Sequence, residues 1–176
     1  MTDPNPRSQP SLDSTVERLV RALRDQLSPG DVASLKRLDP LHPDAPAFFK
    51  LLAGPLEPAF AEVSPERLEG EETRWAAVVA GLARTHGLHR RGARLGRALA
   101  DADVSEQRVL RLLRAHDAAL FDLLRAATHQ LASRGVPFDA LQLAELVLSD
   151  GGPREESVRR CVARSYYQTT GAEASK

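Results

Sequence analysis

Arg94-Leu95-Gly96-Arg97-Ala98-Leu99-Ala100, followed by Ser105-Glu106-Gln107-Arg108-Val109-Leu110-Arg111-Leu112-Leu113-Arg114-Ala115, decides the fold class. At about 100° per residue, Arg108, Arg111 and Arg114 span about 120° of one helix face, and Val109, Leu110, Leu112 and Leu113 take the other. A helix with this pattern buries one side and presents guanidinium groups on the other. Ser105 is placed to cap it, with Glu106 in the first turn.

The same periodicity runs outward in both directions, and strand signals are nearly absent: there is no Ile and few aromatics, and no apolar alternation leads into a hairpin turn. Ser14 or Thr15 is expected to cap a helix to about Leu27, with a break at Ser28-Pro29-Gly30-Asp31. Short helices follow over Val32–Leu38 and Ala47–Leu52, then a long one over Glu66–Arg84 around Trp75. Thr85–Gly92 reads as a loop and Ala93–Ala100 as a short helix. The apolar stripe after Ser105 continues to Ser133, with a bend near His116-Asp117, until Gly135-Val136-Pro137 stops it. Asp139 is placed to cap Ala140–Leu148, and Pro153 or Arg154 opens a last helix to about Thr169. The expectation is an all-α helical bundle. It comprises a disordered arm over 1–13, an N-terminal lobe over 14–102, a C-terminal bundle over 103–169 and a frayed tail over 170–176. Leu110, Leu113, Leu120, Leu124, Leu141 and Val162 are expected in a common C-terminal core.

A chain of 176 residues can bury a real core. Its formal charge is zero, so an anionic partner has to be argued from distribution. Arg84 to Arg114 carries eight arginines against Asp101, Asp103 and Glu106, whereas Asp44 to Thr73 carries seven acids against Lys50 and Arg67. The molecule is therefore two-toned. Of 24 basic residues, 21 are Arg, the better residue for bidentate phosphate contacts and for stacking on bases. With Cys161 the only cysteine, neither an intramolecular disulfide nor a Cys-based zinc cluster can form. No apolar run is long enough to span a bilayer and Met1–Pro10 does not read as a leader, so a cytoplasmic protein with no membrane partner is expected.

Catalytic patterns are missing: no phosphate-binding Gly-rich loop, Gly-x-Ser-x-Gly, His-Glu-x-x-His or EF-hand is present. His86 and His89 flank Gly87 beside Arg90 and Arg91, which favours a solvated loop over a metal site. Asp101 and Asp103 are a close carboxylate pair, but they read as residues that cap or end a helix. Cys161 reads as a small core residue on the apolar side of the last helix. No catalytic residue, metal or cofactor is expected. In the last helix Arg160 and Arg164, four apart, face away from Val158, Cys161 and Val162, with Tyr167 beside them. Guanidiniums flanked by a ring suit phosphate and a splayed base.

Several of these words occur together in a known family. Leu95-Gly96-Arg97-Ala98-Leu99-Ala100, the Glu106-x-Arg108-x-x-x-Leu112-x-Arg114-Ala115 helix and Val136-Pro137-Phe138-Asp139 resemble CasB, the small subunit of the type I-E CRISPR surveillance complex Cascade. Val32–Arg37, Ala45–Leu52 and Arg160–Tyr167 extend the similarity in colinear order over roughly Asp31 to Thr169, interrupted between about Leu56 and Gly92. Relatives often carry tryptophans before the final helix, where this chain has Val147-Leu148-Ser149-Asp150.

The resemblance implies a non-catalytic helical subunit, usually present in two copies. It would lie against the backbone and large subunits, help hold CRISPR RNA and target DNA, and stabilise the displaced strand of the R-loop. Base pairing reads sequence there, so the subunit needs only backbone electrostatics. By position, Lys36, Arg37, Arg97, Arg108, Arg114 and Arg125 match basic residues implicated in nucleic-acid contact in relatives. Arg111, Arg160 and Arg164 join them from helical geometry. The competing reading is a protein–protein module whose arginines meet an acidic partner subunit. A helical transcription regulator is a weaker rival, since no short second helix after a tight turn is placed to read a major groove.

Overall fold

A computed structural model describes residues 11–173. Among the described residues ten helices follow one another: α1 Leu12–Asp25, α2 Pro29–Lys36, α3 Pro46–Leu52, α4 Glu57–Phe60, α5 Pro65–Arg84, α6 Leu95–Asp101, α7 Glu106–Leu112, α8 Asp117–Arg134, α9 Ala140–Leu148 and α10 Glu155–Glu173. No strand is present among the described residues; a single isolated bridge joins His89 to Phe138. The fold is all-α, as the periodicity predicts.

Several boundaries follow from caps visible in the sequence. Asp139 caps α9 by accepting from the Leu141 N–H at 3.0 Å. Ser28-Pro29-Gly30-Asp31, expected to be a break, is also the start of α2. Ser28 and Asp31 form a reciprocal capping box with Pro29 in the first turn. α1 starts from Ser11 rather than Ser14 or Thr15, because the Ser11 hydroxyl takes the Ser14 N–H. Helix thus begins inside the segment expected to be an arm; residues 1–10, the rest of that arm, lie outside the described residues. Likewise α10 continues past Thr169 to Glu173, and 174–176 lie outside. Ser105 occupies the N-cap position of α7, but its hydroxyl makes no capping hydrogen bond.

α5 is the axis of the molecule. Every residue from Trp75 to Ala83 is buried, so this half of the helix is enclosed on all sides. α2, α8 and α9 pack against it, α1 lies on α9, and α6 lies along α10. All the buried apolar side chains from Val16 to Tyr166 except Val32 form one continuous cluster.

Four of the six core residues expected for the C-terminal half, Leu113, Leu120, Leu124 and Val162, are buried in that cluster. Leu141 is partly buried against it, and Leu110 is partly buried and lines a surface groove. The apolar stripe is broken between the two helices: α7 ends at Leu112, and α8 opens at Asp117, whose φ is +49°. Val109, Leu112 and Leu113 face inward and Leu110 is rotated out. Cys161 is exposed, contrary to the expectation of a core position. The inward face of α10 is Val158, Val162, Ser165 and Tyr166, which leaves Cys161 on its flank.

The segment between α5 and α6 is less of a solvated loop than its glycines suggest. His89 Nδ1 accepts from the Ala140 N–H at 3.1 Å, so its other nitrogen carries the proton and donates to Glu17 at 3.3 Å. Arg91 pairs with Asp13. The buried Asp139 carboxylate accepts from the Gly92 N–H, and the Asp139 N–H donates to the Ala93 carbonyl. These bonds hold residues 92 and 93 out of helix, and α6 starts at Leu95, not Ala93.

Candidate nucleic-acid interface

α8 is the ridge around which the basic residues gather. On one flank, Lys36 and Arg37 at the end of α2 face Arg84 from α5 and Asp122, Arg125 and His129 from α8, across a groove of about 770 Å³. On the other flank, Arg108 and Arg111 of α7 face Gln130 and Arg134 of α8 across about 530 Å³. A third depression of about 560 Å³ is bounded by Gln107, Leu110, Arg111, Arg114 and Leu123. The first two share Ala126 and His129, and the last two share Arg111 and Leu123. They therefore form one continuous tract. Lys36, Arg37, Arg84, Arg108, Arg111, Arg114, Arg125 and Arg134 line it against only two carboxylates, Asp39 and Asp122. That imbalance produces a positive field along a surface whose net charge over the whole chain is zero.

Partnering inside the tract is sparse. Arg108 donates to Gln130 at 3.2 Å, Arg125 meets the exposed Asp122 at 3.4 Å and Arg134 meets Asp103 at 2.8 Å. All three contacts lie at the surface, where such pairs contribute little and exchange readily. Lys36, Arg37, Arg84, Arg111 and Arg114 have no side-chain partner among the described residues. Arg84 is the unusual one. It is partly buried, and burial first, then the nearby Arg125 charge, hold its guanidinium below the usual arginine range.

Of the nine residues singled out from the sequence, six line this tract: Lys36, Arg37, Arg108, Arg111, Arg114 and Arg125. Three do not. Arg97 on α6 lies 3.5 Å from Asp101, and Arg160 on α10 pairs with Glu156, each one turn along its own helix. Arg164 is exposed on the same helix as Arg160. Tyr167 is exposed and donates its hydroxyl to Glu106 at 2.9 Å, which raises its pKa. Sequence reading passed over Arg84 and Arg134. The signal for Arg84 was a lone cation closing the apolar run Trp75–Ala83.

The arginine beside Arg160 does something else. Arg159 is 12% exposed and donates to the Leu113 and Ala115 carbonyls and to Asp150 at 2.8 Å, with Glu155 at 3.1 Å. Asp150 also accepts from the Asp117 N–H and meets His116 Nδ1. His116, Asp150 and Glu155 bring ligand-type atoms within 4.8 Å of one another, but the Arg159 guanidinium lies among them and supplies the cation. His86 and His89 do not converge either: His86 Nε2 contacts the Leu23 carbonyl at 3.2 Å while His89 faces Glu17.

The profile of the family described as CRISPR-associated protein Cse2 matches residues 31–167. This chain belongs to the Cse2 family. That family carries the CasB resemblance seen in the sequence, and solved structures agree with it. The chain is similar to one in the crystal structure of E. coli Cascade bound to a PAM-containing double-stranded DNA target. Identity is 26%, with 89% of this chain and 96% of that one covered at a TM-score of 0.66. It is 25% identical to M. ruber CasB, covering 92% and 97% at a TM-score of 0.71. Thermobifida fusca CasB, at 22% identity, 89% and 95% coverage and a TM-score of 0.64, shares the fold. No curated protein sequence matches the chain. Among the described residues, no helix is long and apolar enough to cross a membrane.

Proposed function

We propose that this Cse2 protein is a non-catalytic, cytoplasmic small subunit of a type I-E Cascade, which holds CRISPR RNA and target DNA and stabilises the displaced strand of the R-loop in antiviral defence. The observation that supports this reading most is the continuous basic tract around α8, lined by eight cations and two carboxylates. A backbone of phosphates needs such a tract and needs no base-reading helix, because guide–target pairing reads the sequence. Its partners in the assembly are the backbone and large subunits and a second copy of itself. Arg97, Arg160 and Arg164 belong to the proposed contact set through the family match and helical geometry, outside the α8 tract.

Expression with a tagged backbone subunit tests the assembly: the chain should co-purify with CRISPR RNA and several larger subunits. The purified subunit should cleave neither DNA nor RNA, with or without divalent metals. If the tract instead docks an acidic protein surface, replacing its arginines will block assembly and leave the free subunit's nucleic-acid binding unchanged.

A further inference from the structure

We propose that the groove between the α2–α3 connection and α8 is a seat for one unstacked nucleotide of a single strand, with Arg84 and Arg125 taking its phosphate and Leu41 and Phe121 receiving its base. This rests on the nucleic-acid reading above and adds to it a position and a seated base.

Four arginines are partly buried among the described residues: Arg18, Arg74, Arg84 and Arg159. Arg18 donates to Thr15, Arg74 to Glu71 and the Asp150 carbonyl, and Arg159 to its network. Arg84 alone has no acceptor within the described chain. Removing a charge from water is costly unless an opposite charge meets it, and here the charge that acts on Arg84 is another guanidinium, Arg125. Two arginines converging on one groove match the geometry of a phosphate, which accepts two donors from each.

Beside its charged residues, Lys36, Arg37, Asp39 and Asp122 included, the groove has an apolar part. Leu38, Pro40, Leu41, Ala77, Phe121 and Leu124 line it. Leu41 is 51% exposed at its rim, a large aliphatic side chain with nothing over it. A groove of about 770 Å³ falls within the range of roughly 300–1,000 Å³ that accepts a small organic group. Basic and apolar surfaces lining one groove suit a nucleotide, charged at one end and flat at the other. A duplex keeps its base faces stacked on one another and must unpair to release one; a single strand can offer one to Leu41 and Phe121 without that cost. The groove opens past Ala126 and His129 toward Arg108, Arg111 and Arg134, where neighbouring phosphates would continue.

The test compares binding of the full chain to an oligothymidine strand, an abasic strand of equal length and a duplex, each over a salt series. The oligothymidine should bind roughly 5-fold or more tightly than the abasic strand, as a seated base requires. Arg84→Gln should lower the single-strand salt slope by about 0.7 and keep that preference. Leu41→Asn should abolish the preference and leave the slope unchanged. Should Arg84→Gln not fold by circular dichroism, Arg125→Gln, at an exposed position, carries the same expectation. Equal binding of oligothymidine and abasic strand, or tighter binding of the duplex, overturns the seat. If Arg108→Ala lowers the slope and neither Arg84→Gln nor Arg125→Gln does, the seat is wrong and the broader reading stands. If none of the three lowers it, both fall.

Discussion

The carbonyl oxygen of Val162 on α10 occupies the place that a Cβ at Gly96 on α6 would need, with the Tyr166 backbone nitrogen only 2.8 Å from that point. The two helices meet backbone to backbone at this position, with Gly96 itself buried. Tyr166, one turn further along α10, then reaches the Val104 carbonyl with its hydroxyl at 2.8 Å, tying the end of the α6–α7 connection to the same helix.

Gly96→Ala should therefore destabilise the protein by about 3 kcal/mol, because two of the three nearest obstacles, the Val162 oxygen and the Tyr166 nitrogen, are backbone atoms that cannot rotate away; the third is the Ser165 hydroxyl. Gly70→Ala is the control. A Cβ there meets nothing within 4 Å, and the position lies inside α5. Alanine should raise stability by about 0.5–1 kcal/mol. Urea unfolding of the two variants should move the midpoint in opposite directions.

Asp150→Ala should cost about 3–5 kcal/mol, since it leaves the Arg159 guanidinium buried beside two carbonyls with its strongest partner gone. It also removes the acceptor of the Asp117 N–H at the start of α8. Chemical denaturation measures the loss, and a cost below about 1 kcal/mol would show that Glu155 and His116 can hold Arg159 alone.

The triple variant Arg108→Ala, Arg111→Ala, Arg114→Ala should fold normally, because all three side chains are exposed and alanine is the stronger helix former. Its single-strand binding should show a salt slope shallower by about two units, roughly 0.7 for each phosphate that is no longer neutralised. In the assembled complex the R-loop should dissociate faster with guide specificity unchanged. A normal slope with normal assembly would remove α7 from the interface.

Acid should weaken the N-terminal region through Asp31. Lys50 first, and then Ser28 through its hydroxyl and N–H, lower the carboxylate's pKa on folding. A group whose pKa falls on folding stabilises fully above its unfolded value and loses that contribution as pH drops through the folded one. Wild type should thus exceed Asp31→Asn in stability at neutral pH, and the gap should close below about pH 4. Thermal melts of the pair from pH 7 to pH 3 check the direction; a constant gap would assign the effect to the cap alone.

Much of the fold was legible because its signals are local. Asp139 is followed by an apolar run, and it caps α9 where the sequence placed it. The Arg108–Arg111–Arg114 face is solvent-exposed because 3.6-residue periodicity set it opposite Val109 and Leu112. Reading failed where a choice depended on distant partners. Arg159 and Arg160 are neighbours with the same side chain. One is enclosed because the Leu113 and Ala115 carbonyls and Asp150 surround it, and the other lies in water against Glu156. Cys161 and Leu110 were misplaced for a related reason: each sits at the edge of an apolar stripe, where a small rotation of the helix decides which side is covered.

By itself the sequence determined the helical class, most helix positions, the arginine face of α7 and the family to which the chain belongs. These depend on periodicity, capping residues and word order, all of which lie within a few turns of one another. Only the tertiary structure decided that Lys36 and Arg37 would share a groove with Arg84 and Arg125. The reason is that α2 and α8 both pack on α5, which brings together charges separated by tens of residues in the chain. It also decided which arginines were left for solvent and ligand. That depends on which carboxylates and carbonyls the packing delivers to each guanidinium, and no local pattern records it.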